Sequence, residues 1–270
     1  MSAPDRSYRV ERGDPAADRE RILQLWERSS FGQGAAASAR YDWFYLDNPS
    51  GRGRVYLLFH GDELVGSLGA GSRGISCGAG ASLLRASILV DFVVDPAHRS
   101  MFPALQLQRV AREHELRESQ LIYSLPGDKA TPVFRRLGFS AQLMSGTHVR
   151  VLRSTRFLGR LLPWAPPLAL RAGCWLVDRA RLVLPRAMCR ASGVSARWQQ
   201  CLPDGMEEVW DRVAALPDIA TGERHREFLE WRFRASPQRE WLVLPVKNRR
   251  GNLIAYFVGV RHGDHLRVFD

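Results

Sequence analysis

The chain has 270 residues, of which 45% are hydrophobic and 25% are charged, and its formal net charge is +11 at pH 7. This length allows one large domain or two small ones, and the composition is that of an ordinary globular protein. No stretch of about 18 apolar residues is free of charge and proline, which argues against a membrane-spanning helix. The polar N-terminal stretch also lacks the apolar core of a signal peptide.

The positive charge raises the question of a nucleic-acid partner. The basic residues are nearly all arginine, and Lys129 and Lys247 are the only lysines. Proteins that bind a phosphate backbone commonly use both residue types, so this bias argues against direct nucleic-acid binding. We therefore expect no nucleic-acid partner.

The cysteines exclude two further classes of protein. Cys77, Cys174, Cys189 and Cys201 are scattered, no two have CxxC spacing, and the histidines do not cluster with them. This pattern argues against a zinc site and against a disulfide framework. We expect no metal, free thiols and a cytoplasmic location.

The first third of the chain has the pattern of an antiparallel meander. Its candidate strands lie at 8–10, 55–59, 64–70 and 83–94. A helix begins after Asp14 and Pro15, and a Gly- and Ala-rich stretch at 29–39 is predicted as a loop. An aromatic cluster at 41–49 comes next, and 60–63 has the composition of a hairpin turn.

The segment 89–111 is the stretch around which the rest of the predicted fold is arranged. Its apolar run at 89–94 predicts a buried strand, which Asp95 and Pro96 end because proline lacks an N–H group. A basic turn at 98–100 precedes a helix with Pro103 in its first turn. The free N–H groups and the positive dipole at such a helix start favour a phosphate group.

Three more elements complete this region. A strand is predicted at 120–125, a short helix at 130–137 that ends at Gly138, and a last strand at 141–151. The order is antiparallel strands, then strand–helix–strand–helix–strand, with the phosphate-type turn after the fourth strand.

With this order and two motifs, residues 8–151 resemble the GNAT superfamily of acyl-CoA-dependent N-acyltransferases. The first motif is Asp91-Phe92-Val93-Val94-Asp95-Pro96-Ala97-His98-Arg99, and the second is Phe134-Arg135-Arg136-Leu137-Gly138-Phe139, preceded by Ala130. The resemblance implies an α/β fold, with a central mixed sheet flanked by helices. It also implies transfer of an acetyl group from acetyl-CoA to the amine of a small molecule, such as an amino sugar or an amino acid.

The resemblance further implies which residues contact acetyl-CoA. They are Phe92, Val93, Val94, Arg99, Ser100, Met101, Phe102, Ala104, Asp128 and Phe134. The chain departs from the superfamily pattern at three of its positions. Phe102 stands where glycine is usual, Phe134 where a tyrosine often protonates the leaving thiolate, and Gly127 where asparagine is often found.

Candidate catalytic residues lie on the two central strands. Asp91 is the carboxylate best placed to act as a base, or it is a structural hydrogen-bonding residue. Ser124 and Tyr123 are candidates for a substitute acid or for action through water. Tyr41, Trp43 and Tyr45 either line an acceptor pocket or belong to an aromatic core.

These departures leave a second function open. A GNAT-like domain that has lost catalysis would serve as a binding or scaffold module. Turnover of an amine that depends on Asp91 would distinguish the enzyme from such a module.

The sequence also contains an internal echo. Trp43-Phe44-Tyr45-Leu46-Asp47-Asn48-Pro49 has a counterpart in Trp231-Arg232-Phe233-Arg234-Ala235-Ser236-Pro237, and each proline is followed by strand, glycine turn and strand. Either the match is chance or the chain is a tandem of related lobes. The tandem predicts a first lobe at 1–151, a connector at 152–204 and an incomplete second lobe at 205–270.

The connector combines arginines with tryptophan and leucine, and prolines at 163, 166 and 167 predict short helices. Such helices either cap a sheet or lie on a membrane surface, so peripheral membrane contact through 152–190 stays open. A half lobe cannot cover both faces of its sheet, which favours packing on the first lobe, on a partner or on a second copy in a homodimer.

Overall fold

The computed structural model describes residues 8–78, 83–140, 154, 158, 162, 164, 166–237, 240–263 and 265–269. The predicted strand at 141–151 lies outside these residues. The elements of the first lobe are β1 (Tyr8–Gly13), α1 (Arg19–Arg28), α2 (Gly34–Tyr45), β2 (Arg54–His60), β3 (Glu63–Ser76), β4 (Leu84–Val94), α3 (Met101–Glu118), β5 (Leu121–Ser124) and α4 (Thr131–Arg136).

These strands form one mixed sheet. Its order is β1-β2-β3-β4-β5, with antiparallel neighbours from β1 to β4 and a parallel pair of β4 and β5. A parallel neighbour requires a crossover, and α3 supplies it. The predicted fold class, a mixed α/β sheet flanked by helices with a second partial sheet, is confirmed.

Helices cover both faces of the first sheet. On one face, Trp26 of α1 and Tyr41 of α2 pack with Leu57 and Val93. On the other face, Leu107 and Ala111 of α3 pack with a second set of core residues: Tyr56, Leu58, Leu68 and Leu89. The period-2 alternation of the strands therefore sends alternate side chains into two separate cores.

A buried ion pair ties α3 to the sheet. Glu115 of α3 is fully buried, and its carboxylate accepts two hydrogen bonds of 2.7 Å from the Arg54 guanidinium on β2. Tyr56 donates to the same carboxylate over 2.7 Å, and Ser87 also donates to it. A charge buried at this depth is tolerated because every partner is in place.

A second sheet comes after a long helix. The later elements are α5 (Pro167–Ala191), β6 (Ser195–Ala196), α6 (Met206–Ala214), β7 (Thr221–Gly222), α7 (Arg226–Leu229) with a π-helical turn (Glu230–Arg234), β8 (Leu242–Lys247), β9 (Leu253–His262) and β10 (His265–Val268). The order β6-β8-β9-β10 repeats the order β1-β2-β3-β4 of the first sheet. Along the chain, α6 and α7 come between the first two strands of the second sheet, as α1 and α2 do in the first lobe. The predicted boundary near 205 stays a prediction, and β6 adds 195–196 to the second sheet.

The two echo motifs pack directly on each other. The rings of Trp43 and Trp231 stack with centroids 4.7 Å apart and planes within 15°. Trp43 donates its indole N–H to the Trp231 carbonyl over 2.7 Å, and Trp231 donates to the Trp43 carbonyl over 2.8 Å. This reciprocity is the signature of a local two-fold relation between the motifs. The strand β7 adds a second link, because it pairs with the end of β3.

Helix α5 differs from its prediction. The sequence predicted short helices, whereas Pro167–Ala191 is one helix of 25 residues with Pro185 inside it. Pro166 and Pro167 mark its start, where proline is tolerated. Cys174 is the one buried residue of α5. Among the described residues no helix is both long and apolar enough to cross a membrane.

Candidate active site

The fourth strand carries a bulge at its centre. Ser67 of β3 pairs with Val93 and Gly69 pairs with Val90, so that Asp91 and Phe92 together face one residue of β3. Asp91 has a φ of +52°, in the left-handed region that residues other than glycine rarely adopt. A bulge redirects the side chain of the extra residue. It turns Asp91 toward α2.

The Asp91 carboxylate is held on both oxygens. The residue is 8% exposed, its Oδ2 accepts a hydrogen bond of 2.8 Å from the Tyr45 hydroxyl, and its Oδ1 pairs with the Arg40 guanidinium. Burial and the Asp91 charge raise the pKa of the Tyr45 phenol, so the phenol stays protonated as a donor. Each carboxylate oxygen has two lone pairs, which leaves Asp91 able to accept a further hydrogen bond.

Strands β4 and β5 separate beside this carboxylate. Their parallel pairing covers Ala86–Leu89 and Leu121–Ser124 and then ends. A cavity of about 360 Å³ opens beyond that point, lined by Val90–Phe92 on one side and by Ser124–Gly127 on the other. Arg40 and Phe134 also line it. The backbone of Val90–Phe92 therefore has no strand partner on the side of the opening.

Two predicted catalytic residues lie on β5. The Ser124 side chain lines the cavity, but its hydroxyl donates to the Leu89 carbonyl over 2.9 Å. The Tyr123 hydroxyl is buried and has no hydrogen-bond partner in the described part of the chain, and Tyr123 does not line the cavity. Of the two, Ser124 is the one that reaches the opening.

The turn after β4 is built as the sequence predicts. Asp95 accepts a hydrogen bond of 3.0 Å from the Ala97 N–H and pairs with Arg28 at 2.8 Å. Burial alone would raise the pKa of Asp95, but these two contacts outweigh it and hold that pKa below its ordinary value. A short 3-10 turn (Pro96–His98) leads from there into α3.

The first turn of α3 offers three N–H groups. Met101, Phe102 and Ala104 donate to no acceptor in the described part of the chain, as is usual for the first turn of a helix, and Pro103 has no N–H group. The Phe102 side chain is 49% exposed and leans toward Tyr8, with ring centroids 6.3 Å apart. Pro103, the next residue, is buried.

Two residues predicted to contact phosphate also bind carbonyl groups of the protein. Arg99 donates to the carbonyls of Val94 over 2.9 Å and Ser29 over 3.3 Å, so its guanidinium fastens the turn to the body of the lobe. The Ser100 N–H donates to the His98 carbonyl over 2.8 Å. The Arg99 guanidinium has five N–H donors, of which these bonds use two, so the predicted phosphate contacts of Arg99 and of Ser100 stay predictions beside the three N–H groups of α3.

The remaining predicted contacts divide between cavity, core and surface. Phe134 is buried and lines the cavity without a hydroxyl, and Phe92 lines it as well. Val93 and Val94 are core residues of β4, and Asp128 is exposed outside the cavity lining.

Two of the three aromatic residues proposed for an acceptor pocket lie elsewhere. The Tyr41 hydroxyl is buried and donates to the Pro15 carbonyl over 2.8 Å. Trp43 stacks on Trp231 at the contact between the lobes. Tyr45 supports Asp91 from the core side, so the structure favours the aromatic-core alternative for this cluster.

Sequence reasoning missed Arg40. It lies just after the stretch that was predicted as a loop, where nothing marks one arginine among 39 basic residues. Its contact with Asp91 depends on α2 crossing the bulge of β4, which is a tertiary relation without a local signal.

Comparison with known proteins gives matches in structure alone. No family model matches the chain, and no curated protein sequence matches it. An aminoglycoside acetyltransferase, meta-AAC0020 from an uncultured soil metagenomic sample, solved with trehalose, aligns at 12% identity, covers 54% of this chain and 99% of that chain, and has a TM-score of 0.40.

Two further solved structures are similar to this chain to the same degree. Glucosamine-6-phosphate N-acetyltransferase from Arabidopsis thaliana aligns at 10% identity over 53% of this chain and 97% of that chain, with a TM-score of 0.40. A predicted acetyltransferase from Clostridium acetobutylicum, solved with acetyl-CoA, aligns at 11% identity over 52% of this chain and 96% of that chain, with a TM-score of 0.39. The strand order and the strand–turn–helix connection of the first sheet confirm, for the fold, the resemblance to the GNAT superfamily that the sequence predicts.

Proposed function

We propose that the chain is an N-acyltransferase that moves an acetyl group from acetyl-CoA to the amine of a small molecule. The observation that supports this most strongly is the opening between β4 and β5, which has Asp91 in its lining; the turn that follows β4 along the chain leads to the unpaired N–H groups of α3. These features suit the diphosphate of acetyl-CoA, its extended thioester arm and an amine.

The residues fit acetyl-CoA in two ways. The N–H groups of Met101, Phe102 and Ala104 suit a diphosphate, because the helix start carries a partial positive charge. The unpaired backbone of Val90–Phe92 suits the amide groups of the pantetheine arm. Since one of the four first-turn positions is proline, which lacks an N–H group, we expect weaker binding than a glycine-rich turn would give.

When bound, acetyl-CoA would supply a thioester carbon that an amine can attack. The chain's part is to take the proton that the amine loses, and Asp91 is the carboxylate at the opening that can accept it. Tyr45 and Arg40 fix the orientation of this carboxylate. Ser124 is the hydroxyl at the opening that would pass the proton taken up by Asp91 on to the leaving thiolate and so end as a hydroxyl again, since Phe134 has none.

The Arg40–Asp91 pair supports a class of acceptor. It places a cation and an anion side by side at the cavity wall. An acceptor with an amine and a nearby anionic group, such as an amino acid or a phosphorylated amino sugar, would complement both. Carboxylate and phosphate groups match the planar guanidinium fork.

A steady-state assay of thiol release tests this proposal. The full chain is incubated with acetyl-CoA and a panel of amino acids and amino sugars. We expect Asp91→Asn to lower kcat at least about 100-fold while KM for acetyl-CoA stays within about twofold, because a positioned base contributes 10²–10⁴-fold. Asp62→Asn, in the exposed hairpin turn, is the matched control and should leave both constants unchanged.

The second candidate is a binding module without turnover. Engagement of both Asp91 oxygens and the absence of a hydroxyl at Phe134 favour it. Acetyl-CoA binding without thiol release for any amine would establish this alternative, and equal kcat for Asp91→Asn and the native chain would refute the role of Asp91.

A further inference from the structure

A second cavity lies at the opposite end of the first sheet. Its volume is about 540 Å³, and it is lined by the end of β3, the start of β4, the end of α3 and Glu223 from the second lobe. It shares no lining residue with the first cavity. Along β4, Arg85 and Asp91 are six residues apart, which corresponds to about 20 Å of extended strand. The two cavities are therefore separate sites.

The lining of this second cavity is strongly basic. It contains Arg54, Arg73, Arg85 and Arg117 against two carboxylates, Glu118 and Glu223. The Arg54 guanidinium is already neutralised by Glu115. Three arginines therefore bring positive charge to one concave surface.

Both carboxylates of the cavity have other partners. Glu118 pairs with Arg12. Glu223 accepts hydrogen bonds from the Ser50 hydroxyl and, over 2.9 Å, from the Gly74 N–H, and it lies 3.4 Å from the His225 ring. Within the described ranges, Arg73, Arg85 and Arg117 form no ion pair with an acidic group.

Arg73 is held in place before any ligand binds. Its guanidinium lies against Gly222 so closely that a Cβ there would be 2.3 Å from Cζ. On another side it lies over the Phe228 ring, 5.3 Å from the centroid. Its Nε atom is buried and has no hydrogen-bond partner among the residues that the structure describes. A buried donor without a partner is rare and calls for an acceptor that the protein itself does not supply.

We propose that this cavity binds a small molecule through a phosphate group held by Arg73, Arg85 and Arg117. The guanidinium fork matches phosphate oxygens in pairs, and a preorganised side chain loses little entropy when it binds. The carboxyl end of α3 also faces the site, and Arg117 offsets its partial negative charge. Because β7 and Glu223 come from the second lobe, the bound phosphate would join the two lobes.

Calorimetric titration of the full chain with inorganic pyrophosphate, at constant ionic strength in chloride, tests this site. We expect the Arg85→Ala, Arg117→Ala double variant to bind pyrophosphate at least about tenfold more weakly. Both side chains are exposed, so the variant should fold normally. Arg109→Ala, at an exposed position on α3 away from the cavity, is the matched control for loss of charge and should change the affinity less than twofold.

A second variant distinguishes a specific binding site from non-specific electrostatic attraction of pyrophosphate. Gly222→Ala keeps every charge but places a Cβ against the Arg73 guanidinium, so affinity should again fall severalfold. Met101→Asp, which adds a negative charge at the start of α3, should remove any pyrophosphate bound to the N–H groups there and should leave the affinity of the second cavity intact.

The possible outcomes are distinct. Loss of affinity in the arginine double variant and in Gly222→Ala, with no loss in Arg109→Ala and Met101→Asp, supports the site. Equal affinity in the native chain and the double variant overturns it, as does an absence of binding. Loss in Met101→Asp alone would assign the phosphate to the start of α3 and would refute this proposal while leaving the proposed function standing.

Discussion

The two lobes share one plan up to the fourth strand and differ beyond it. Both run strand, helix, helix and then three antiparallel strands, in the same order across the sheet. In the first lobe α3 and β5 come next, and they cover the outer face and create the opening beside Asp91. In the described part of the second lobe the sheet ends with β10, and Phe257, Leu266 and Val268 stay exposed.

This difference shows that one addition serves both stability and function. Helix α3 buries Leu107 and Ala111 against the sheet and carries the three unpaired N–H groups at its start. The described part of the second sheet, covered on one face by α6 and the π-helical turn, has a core but no equivalent of the turn that joins β4 to α3. The repeated half therefore supplies a scaffold, and the unrepeated half supplies the candidate site.

The largest difference in stability between the lobes is expected when one ion pair is broken in each of them. Glu115→Gln leaves the buried Arg54 guanidinium without its countercharge, and we expect a loss of about 3–5 kcal/mol. Glu230→Gln breaks an exposed pair with Arg226 in the second lobe and should cost less than about 1 kcal/mol. Chemical denaturation of both variants measures the two values, and similar losses would contradict the contrast.

Substitutions at the contact between the lobes should cause the next largest loss of stability. Trp231→Ala removes a stacked, largely buried ring and should destabilise the chain by about 3 kcal/mol. Trp231→Phe keeps a ring but loses the N–H donor to the Trp43 carbonyl, at a cost of about 1 kcal/mol. A double-mutant cycle with Trp43→Phe measures the coupling, and additive losses would show that the two indoles act independently.

The Glu115 carboxylate should also give the first lobe a dependence on pH. Burial alone would raise the pKa of Glu115, but hydrogen bonds from Arg54, Ser87 and Tyr56 outweigh it and hold that pKa below its ordinary value of 4.5. The unfolded chain then binds a proton at a higher pH than the folded chain, so this contribution is complete above about pH 4.5 and is lost as the pH falls below it. Denaturation curves between pH 3 and pH 7 should show this loss in the native chain and a smaller one in Glu115→Gln.

The smallest effect on stability is expected at the open face of the second sheet. Phe257→Lys changes an exposed side chain and should alter the free energy of unfolding by less than about 0.5 kcal/mol. If that face pairs with a second copy, the same change should shift a dimer to a monomer in light scattering. If the native chain and the variant are both monomers, the predicted homodimer is wrong.

The exposed helix α5 gives a test of the predicted membrane contact. Trp175, Leu176 and Leu184 are more than 60% exposed, and arginines alternate with them along the helix. We expect sedimentation with anionic vesicles to fall severalfold in Trp175→Glu, without a change in unfolding. If the native chain does not bind the vesicles, the predicted membrane contact is wrong.

The sequence predicted those parts of the fold that local patterns determine. The strands β2 to β5 and the turn at Asp95 arise from alternation, β-branched runs and proline. Gly138, with a φ of +81°, ends α4 as expected. The stretch 29–39 was predicted as a loop, but its alanines favour a helix, and α2 begins at Gly34.

The candidate site was predictable only in outline. Asp91 was identified from its place on the strand, but its positive φ and the bulge depend on pairing with β3. Arg99 carries the right charge in the right turn, yet its side chain binds the nearest free carbonyls. Contacts of this kind depend on packing between distant segments, so spacing along the chain does not reveal them.

Calorimetric titration of the full chain with acetyl-CoA tests the central claim most directly. The account predicts saturable binding by the native chain, at least about tenfold weaker binding by Met101→Asp, and unchanged binding by Met188→Asp, which places the same charge on the exposed helix α5. No binding at millimolar acetyl-CoA, or equal binding by Met101→Asp and the native chain, would contradict it.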